Sequence, residues 1–430
     1  MITSLLGCLS ALLAEPAAAG SAPWWDDQWE VRVAVTVEAR PGLLPQRPVV
    51  LRWSEIVEKL GGVKVTLSSL RLVAGRELVP FQVDHRDPVG HFLPPGNLRL
   101  DPQDELVFVA PADRRTELYL YVSRGPRQPM TFPSGVTVRS QRRDQAHQLL
   151  STADLQIGVQ GTGLLNLSRS TQANYARGAV ASVMWKGDRL NSIWQAWVAF
   201  MNGHPFTSDE LNRWNMVKLL VDGPVRKVLA VRCADATSKG SDGSGPLRAD
   251  VTRYFSMVSG VPLYDVHEIV RCAEAPPSWT AEYVDTFFRG WSDRSGHEVL
   301  WEGSSGEHRR FAPKGDGDEV AVSTDSVVDR WYAWFDENRR RGLAVFYGSS
   351  QDDAGTPRPA RYGFRAQWHT WATGNQMSFM YEGLQAPTTL RHRFRVVGLD
   401  DASPEQVAQE YRLWEEPAAE FVRIGRIERR

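Results

Sequence analysis

The chain has 430 residues, of which 42% are hydrophobic and 23% charged. That composition excludes a disordered or collagen-like protein and leaves ample apolar chain for more than one core. Lys and Arg total 50 against 51 Asp and Glu, a net charge of -1. No basic excess argues for nucleic acid, and no apolar run reaches the ~18 residues a membrane span needs.

The first 25 residues, MITSLLGCLSALLAEPAAAGSAPWW, hold an apolar stretch from Leu5 to Leu13 and then small residues from Ala17 to Ala22. This is the layout of a signal peptide with A-x-A-type cleavage sites, although no Lys or Arg precedes Arg32. Residues 1–22 are therefore expected to direct export to a secreted or periplasmic location. Leu5-Leu6-Gly7-Cys8 offers a lipobox reading, with Cys8 as a lipid anchor. Past this segment two cysteines remain, Cys233 and Cys272, each at the end of an expected strand. They leave two readings open, a disulfide between neighbouring strands or two buried thiols.

Alternating apolar and polar residues then predict strands over 30–39, 63–67, 70–74, 78–83, 105–110 and 117–123. A short helix is expected over 54–60, with Ser54 as its N-cap. Residues 24–126 thus read as a small N-terminal β-sandwich or barrel-like domain. The Pro-, Gly- and Arg-rich run at 127–140 reads as a linker. Over 141–402 many longer strands follow: 155–159, 178–185, 193–201, 216–222, 225–234, 251–258, 263–272, 282–289, 298–301, 319–323, 331–336, 342–347, 364–371, 376–382 and 390–397. That density predicts a large two-sheet supersandwich. Ser403-Pro404-Glu405 opens a C-terminal helix in the segment 403–430, with a cap, a Pro at the first position and an early acid. The fold class is all-β. No P-loop, dinucleotide-binding turn or nucleophile elbow is present.

Tryptophan equals phenylalanine, at 16 each, and exceeds tyrosine, at 11. Flat rings match the C–H face of a sugar, so a cleft drawing on Trp194, Trp368 and Trp371 is a candidate glycan platform. Tyr175 and Arg177 lie just before an expected strand, and Asn191 precedes another. His204 sits in the polar turn Asn202-Gly203-His204-Pro205, placed for proton transfer. The stretch 361–371 puts Tyr362, Phe364, Ala366, Trp368 and Thr370 on one strand face, and Arg361, Gly363, Arg365, Gln367, His369 and Trp371 on the other. The second face suits an anionic sugar, because Arg binds carboxylates with a planar fork and His exchanges protons. Asp316-Gly317-Asp318-Glu319 is a candidate calcium loop without full EF-hand spacing, so no cofactor is assigned.

Four short motifs carry a resemblance. Leu78-Val79-Pro80-Phe81-Gln82-Val83-Asp84 followed by Asp104-Glu105-Leu106-Val107-Phe108 resembles the opening domain of exported bacterial β-proteins, including exo-acting rhamnogalacturonan lyase-like proteins. Asp222-Gly223-Pro224-Val225-Arg226 with Thr252-Arg253-Tyr254 resembles the galactose-mutarotase-like supersandwich. The resemblance implies a poly- or oligosaccharide partner and, as the leading expectation, a polysaccharide lyase that cleaves a uronate-containing glycan by β-elimination. Catalytic candidates are His204, His369, Tyr175 and Tyr362; Arg177, Asn191, Arg365, Trp194, Trp368 and Trp371 are substrate-binding candidates. The alternatives are a non-catalytic glycan-binding or cell-envelope protein, and a glycoside hydrolase using two of Glu268, Glu282, Asp285, Glu302 and Glu382.

Overall fold

The computed structural model describes residues 23–60, 65–95, 100–140, 147–160, 179–186, 194–201, 204–205, 217–238, 247–274, 280–290, 297–303, 306–312, 319–322, 327–336, 341–348, 361–369, 372–382 and 387–430. Cys8 and Asp316–Asp318 lie outside these residues, as do Tyr175, Arg177, Asn191 and Trp371.

The small domain opens with β1 (Val31–Val37), β2 (Gln46–Arg52) and α1 (Trp53–Leu60). It continues with β3 (Leu70–Ala74), β4 (Glu77–Leu78), β5 (Phe81–Asp84), β6 (Glu105–Pro111) and β7 (Thr116–Val122). Val31, Val33, Val35 and Val37 recur with period two and are all buried, as a half-covered strand requires. Helix α1 buries Trp53, Ile56 and Leu60, one face at helical spacing. It starts one residue before the expected cap Ser54. Leu67, expected as the end of a strand, instead opens a 3-10 turn over Leu67–Ser69, and Ser69 closes it through the backbone of Thr66. The single strand expected over 78–83 breaks at Pro80 into β4 and β5, since Pro has no N–H for a ladder.

The large domain begins with the four-stranded sheet β8 (Thr137–Ser140), β9 (His147–Ser151), β10 (Leu155–Gln160) and β11 (Ala179–Trp185). Next come β12 (Trp194–Met201), β13 (His204–Pro205), β14 (Lys218–Asp222), β15 (Arg226–Ser238), β16 (Leu247–Val258), β17 (Leu263–Glu274) and β18 (Thr280–Gly290). Then follow β19 (His297–Gly303), β20 (His308–Phe311), β21 (Glu319–Val322), β22 (Val327–Asp336) and β23 (Arg341–Tyr347). The domain closes with β24 (Arg361–His369), β25 (Ala372–Glu382) and β26 (Thr388–Asp400). Nine strands form one antiparallel sheet in the order β14-β15-β16-β17-β26-β23-β22-β19-β20, and six form another, β13-β12-β18-β25-β24-β21.

Both faces of the nine-stranded sheet are covered. On the inner face Val251, Phe255, Tyr264, Val266, Tyr347 and Phe394 join Ile157 and Trp185 of the four-stranded sheet in one core. On the outer face Leu263, Trp331, Phe346 and Val397 pack under α2 (Pro404–Glu415), through Val407 and Tyr411. Burial on both sides explains why β22 and β23 read as near-continuous apolar runs rather than alternating ones. Ser403 caps α2 by accepting from the Gln406 N–H, with Pro404 in the first turn, as its sequence signals.

The chain ends with α3 (Ala418–Phe421) and β27 (Val422–Arg429), a strand the sequence reading did not place. It pairs with β1, so the last residues complete the sheet of the first domain in the order β27-β1-β7-β3-β4. Arg47 of β2 meets Glu410 of α2 through two hydrogen bonds, at 2.8 and 2.7 Å, and fixes the helix against the small domain. Cys233 and Cys272 are buried thiols on β15 and β17, with β16 between them, so the disulfide reading fails on geometry. Burial pushes the Cys272 thiol up to about 12.

Candidate active site

Among the described residues, one row of buried ionisable side chains crosses the middle of the nine-stranded sheet's inner face. Period two along β16 places Arg253 between Val251 and Phe255; along β17 it places Glu268 between Val266 and Val270. On β26 it places His392 between Leu390 and Phe394. The register then sets the three side by side: Arg253 opposite Glu268, and Glu268 opposite His392. Arg253 donates from Nε to Glu268 Oε2 at 2.5 Å, and Glu268 Oε1 lies 2.9 Å from His392 Nδ1. They are 1%, 0% and 2% exposed.

Three ionisable groups in an apolar core face are costly unless they are paired, and here the carboxylate answers both neighbours. The geometry fixes the imidazole. With Nδ1–H donated to Glu268, the ring is oriented and held in one tautomer. A base oriented by a carboxylate, itself anchored by a third group, is a recurring catalytic arrangement. Phe394 stacks on His392 with ring centroids 6.3 Å apart, and Tyr347 packs edge-on to Phe394 at 5.2 Å.

A second polar cluster lies where the loop after β5 crosses the outer face. His91 Nδ1 is 2.7 Å from the Tyr254 hydroxyl, and Phe92 meets the same ring edge-on at 5.1 Å. Burial raises the Tyr254 hydroxyl well above its ordinary value. Burial lowers His91, and it lowers the neighbouring His267 to about 3. This cluster seats the small domain on the sheet, and Arg391 adds a bond to the Val89 carbonyl.

Three of the motifs that carried the resemblance, those of Gln82, Glu105 and Arg226, meet in a third place. Gln82 Oε1 accepts from the backbone N–H groups of Val225 and Arg226 at 2.9 and 2.7 Å. Arg226 donates to Asp84 at 2.7 Å and to Glu105 at 2.6 Å, and Arg86 reaches Glu105 at 3.0 Å. Burial alone would raise Glu105, but the guanidiniums of Arg86 and Arg226 prevail and hold it at about 2. Every charged side chain in this clamp lies beside an opposite charge, so its role is structural.

The expected site residues that are described fall in the six-stranded sheet. His204 is on β13 at one edge, Trp194 on β12, and Tyr362, Arg365, Trp368 and His369 on β24. Strands β12, β18 and β25 separate β13 from β24, four spacings or about 19 Å in all. The ladders also put His204 and His369 at opposite ends of the sheet: His204 pairs with Met201, in the row of Ala281 and Tyr381, and His369 pairs with Ala372. The backbone does not bring these two histidines together.

Of the hydrolase candidates, Glu268 is the centre of the interior row. Glu302 neighbours Trp301, which faces the inner core, and so points to the outer side; there it accepts from Trp331 Nε1 and from Arg412. The two carboxylates lie on opposite faces of one sheet and form no acid–base pair. Glu282 and Asp285 lie on β18, and Glu382 on β25. Sequence reading passed over Arg253 and His392 as chemistry. The signal available was a charged residue at an inward position of each apolar strand. Among the described residues no His, Cys, Asp or Glu group is arranged to hold a metal ion, and no helix is long and apolar enough to cross a membrane.

No family model matches the sequence, and no curated protein is similar to it. Solved structures give partial overlays. An α-mannosidase from Enterococcus faecalis V583 aligns at 7% identity and a TM-score of 0.46, over 92% of this chain and 46% of that one. A glycosyl hydrolase family 38 protein from Enterococcus faecalis aligns at 7% and 0.47, over 93% and 47%. A putative aldose 1-epimerase from Klebsiella pneumoniae subsp. pneumoniae aligns at 10% and 0.40, over 66% and 88%. The chain thus spans about half the length of the two Enterococcus proteins. At these scores the overlays carry no argument about activity.

Proposed function

We propose that this is an exported carbohydrate-active enzyme, a polysaccharide lyase acting on a uronate-containing glycan, with the Arg253–Glu268–His392 row as its proton-transfer centre. The observation that carries the reading is the carboxylate-held imidazole, buried in the sheet's inner face. In β-elimination a base takes the proton on the carbon beside the uronate carboxylate. That electron pair forms the new C=C bond as the neighbouring C–O bond breaks, and the leaving oxygen regains a proton. His392 is the proposed base, Glu268 orients it and stabilises the imidazolium that forms, and Arg253 holds Glu268 in place through their ion pair. The uronate carboxylate itself needs a cation; Arg365 and Arg177 are the residues proposed for it from their sequence setting, with His369 beside Arg365 on the same strand face.

The test is incubation of the protein with pectic, alginate, ulvan and glycosaminoglycan polymers, following near-ultraviolet absorbance for the unsaturated product. A rise on one polymer supports the proposal and names the substrate. New reducing ends without the absorbance would assign a hydrolase, and retention on an affinity gel without turnover would assign a glycan-binding protein; either result overturns the lyase reading.

A further inference from the structure

A cleft of about 290 Å³ opens at the junction of the two domains, away from the interior row. Its walls are apolar: Phe81 and Val83 from β5, Leu93 and Pro95 from the loop after it, and Met130 and Phe132 from the segment joining the domains. Leu93 and Met130, 41% and 39% exposed, are two of only four large hydrophobic side chains among the described residues that stand out into solvent. Interdomain clefts with apolar walls and a few polar groups are where small ligands bind.

The polar lining is nearly all engaged. Asp84 is taken by Arg226 and Gln82, and Asp222 by Lys227. Arg71 donates to the carbonyls of Ser68, Leu70 and Gln128. His85 differs. Its Nδ1 is 3.0 Å from Asp104 Oδ2, and Asp104, 1% exposed, also accepts from the backbone N–H groups of Arg86 and Asp101. The tautomer with the proton on Nδ1 satisfies Asp104 and leaves Nε2 as a lone-pair acceptor.

We infer that this cleft is a binding site for a small hydroxylated aromatic molecule, with the rings between the apolar walls and the hydroxyl donating to His85 Nε2. The ligand must be apolar in body, because a charged one would lose its hydration against Phe81, Val83 and Phe132. It must carry a donor, because the unfilled capacity at the polar end is an acceptor.

The experiment is a fluorescence titration of the full chain with 2-naphthol and with 2-methoxynaphthalene, which lacks the donor. 2-Naphthol is expected to bind about tenfold more tightly, the equivalent of one hydrogen bond at a protected site. Leu93→Asp with Met130→Asp changes two exposed positions, so the fold is retained, and is expected to weaken both ligands. His85→Phe is expected to remove the difference between them. Equal affinity for the two probes on the unchanged protein overturns the inference, and so does binding that survives the Leu93→Asp, Met130→Asp change.

Discussion

Two buried charge clusters divide this molecule between structure and chemistry. In the interdomain clamp, Asp84, Glu105, Arg86 and Arg226 answer one another in an alternating chain, and Gln82 ties them to backbone. In the interior row, Arg253, Glu268 and His392 are as deeply buried, and the row includes an imidazole. The first is built of carboxylates and guanidiniums, which suits a fastener. The second includes an imidazole, whose charge can switch near neutral pH, and that suits it to move a proton. Burial and charge alone do not separate the two; the kind of titratable group does.

The largest effect is expected from opening the fastener. Arg226→Met leaves Asp84 and Glu105 buried without their cation and should cost about 3–5 kcal/mol in denaturant unfolding. A smaller loss, below about 1 kcal/mol, would mean that the clamp does not hold the domains. Next is the row: Glu268→Gln keeps the shape but removes the charge that stabilises the imidazolium, and a fall in turnover of about 10²-fold is expected. Gly223→Ala comes third. An added Cβ would sit 2.0 Å from Gln82 Oε1, inside the same clamp, so a loss of about 1–3 kcal/mol is expected.

Acid should test the seat of the small domain. Burial lowers both His91 and His267, so the folded state prefers them neutral. Their contribution is fully present above the unfolded histidine value of about 6.5 and is lost as pH falls toward the folded His267 value of about 3. The unfolding midpoint should therefore drop through that window, and less so in His267→Phe. The smallest effect belongs to Arg115–Glu117, an exposed pair at 3.0 Å, where Arg115→Ala should change the midpoint little.

Much of the fold was legible. Strand 70–74 and the start of the helix at Pro404 sit where alternation and capping put them. Several strands were not, β2 and β27 among them. β2 carries Pro48, and Pro is tolerated there because the strand is an edge of its three-stranded sheet, β2-β6-β5. β27 is rich in Arg and Glu and contains Gly425; it too is an edge, and only its pairing with β1, nearly the whole chain away, makes it a strand. The site was legible in kind but not in place. Arg, His and Glu within apolar strands are visible in the sequence, but which of them are neighbours is set by the register of β16, β17 and β26, and register is a tertiary fact. The motifs of the resemblance illustrate the converse. Gln82, Asp84, Glu105, Gly223 and Arg226 stand out as a pattern because they lock two domains together.

The most direct measurement is the turnover of purified His392→Gln beside the unchanged protein, on whichever polymer yields unsaturated product, with circular dichroism to show that both are folded. Gln still donates a hydrogen bond but cannot take a proton. Turnover is expected to fall about 10²-fold or more, with KM and the unfolding midpoint near those of the unchanged protein. Turnover equal to that of the unchanged protein would place the chemistry elsewhere and leave Arg253, Glu268 and His392 as a fastener like the one between the domains.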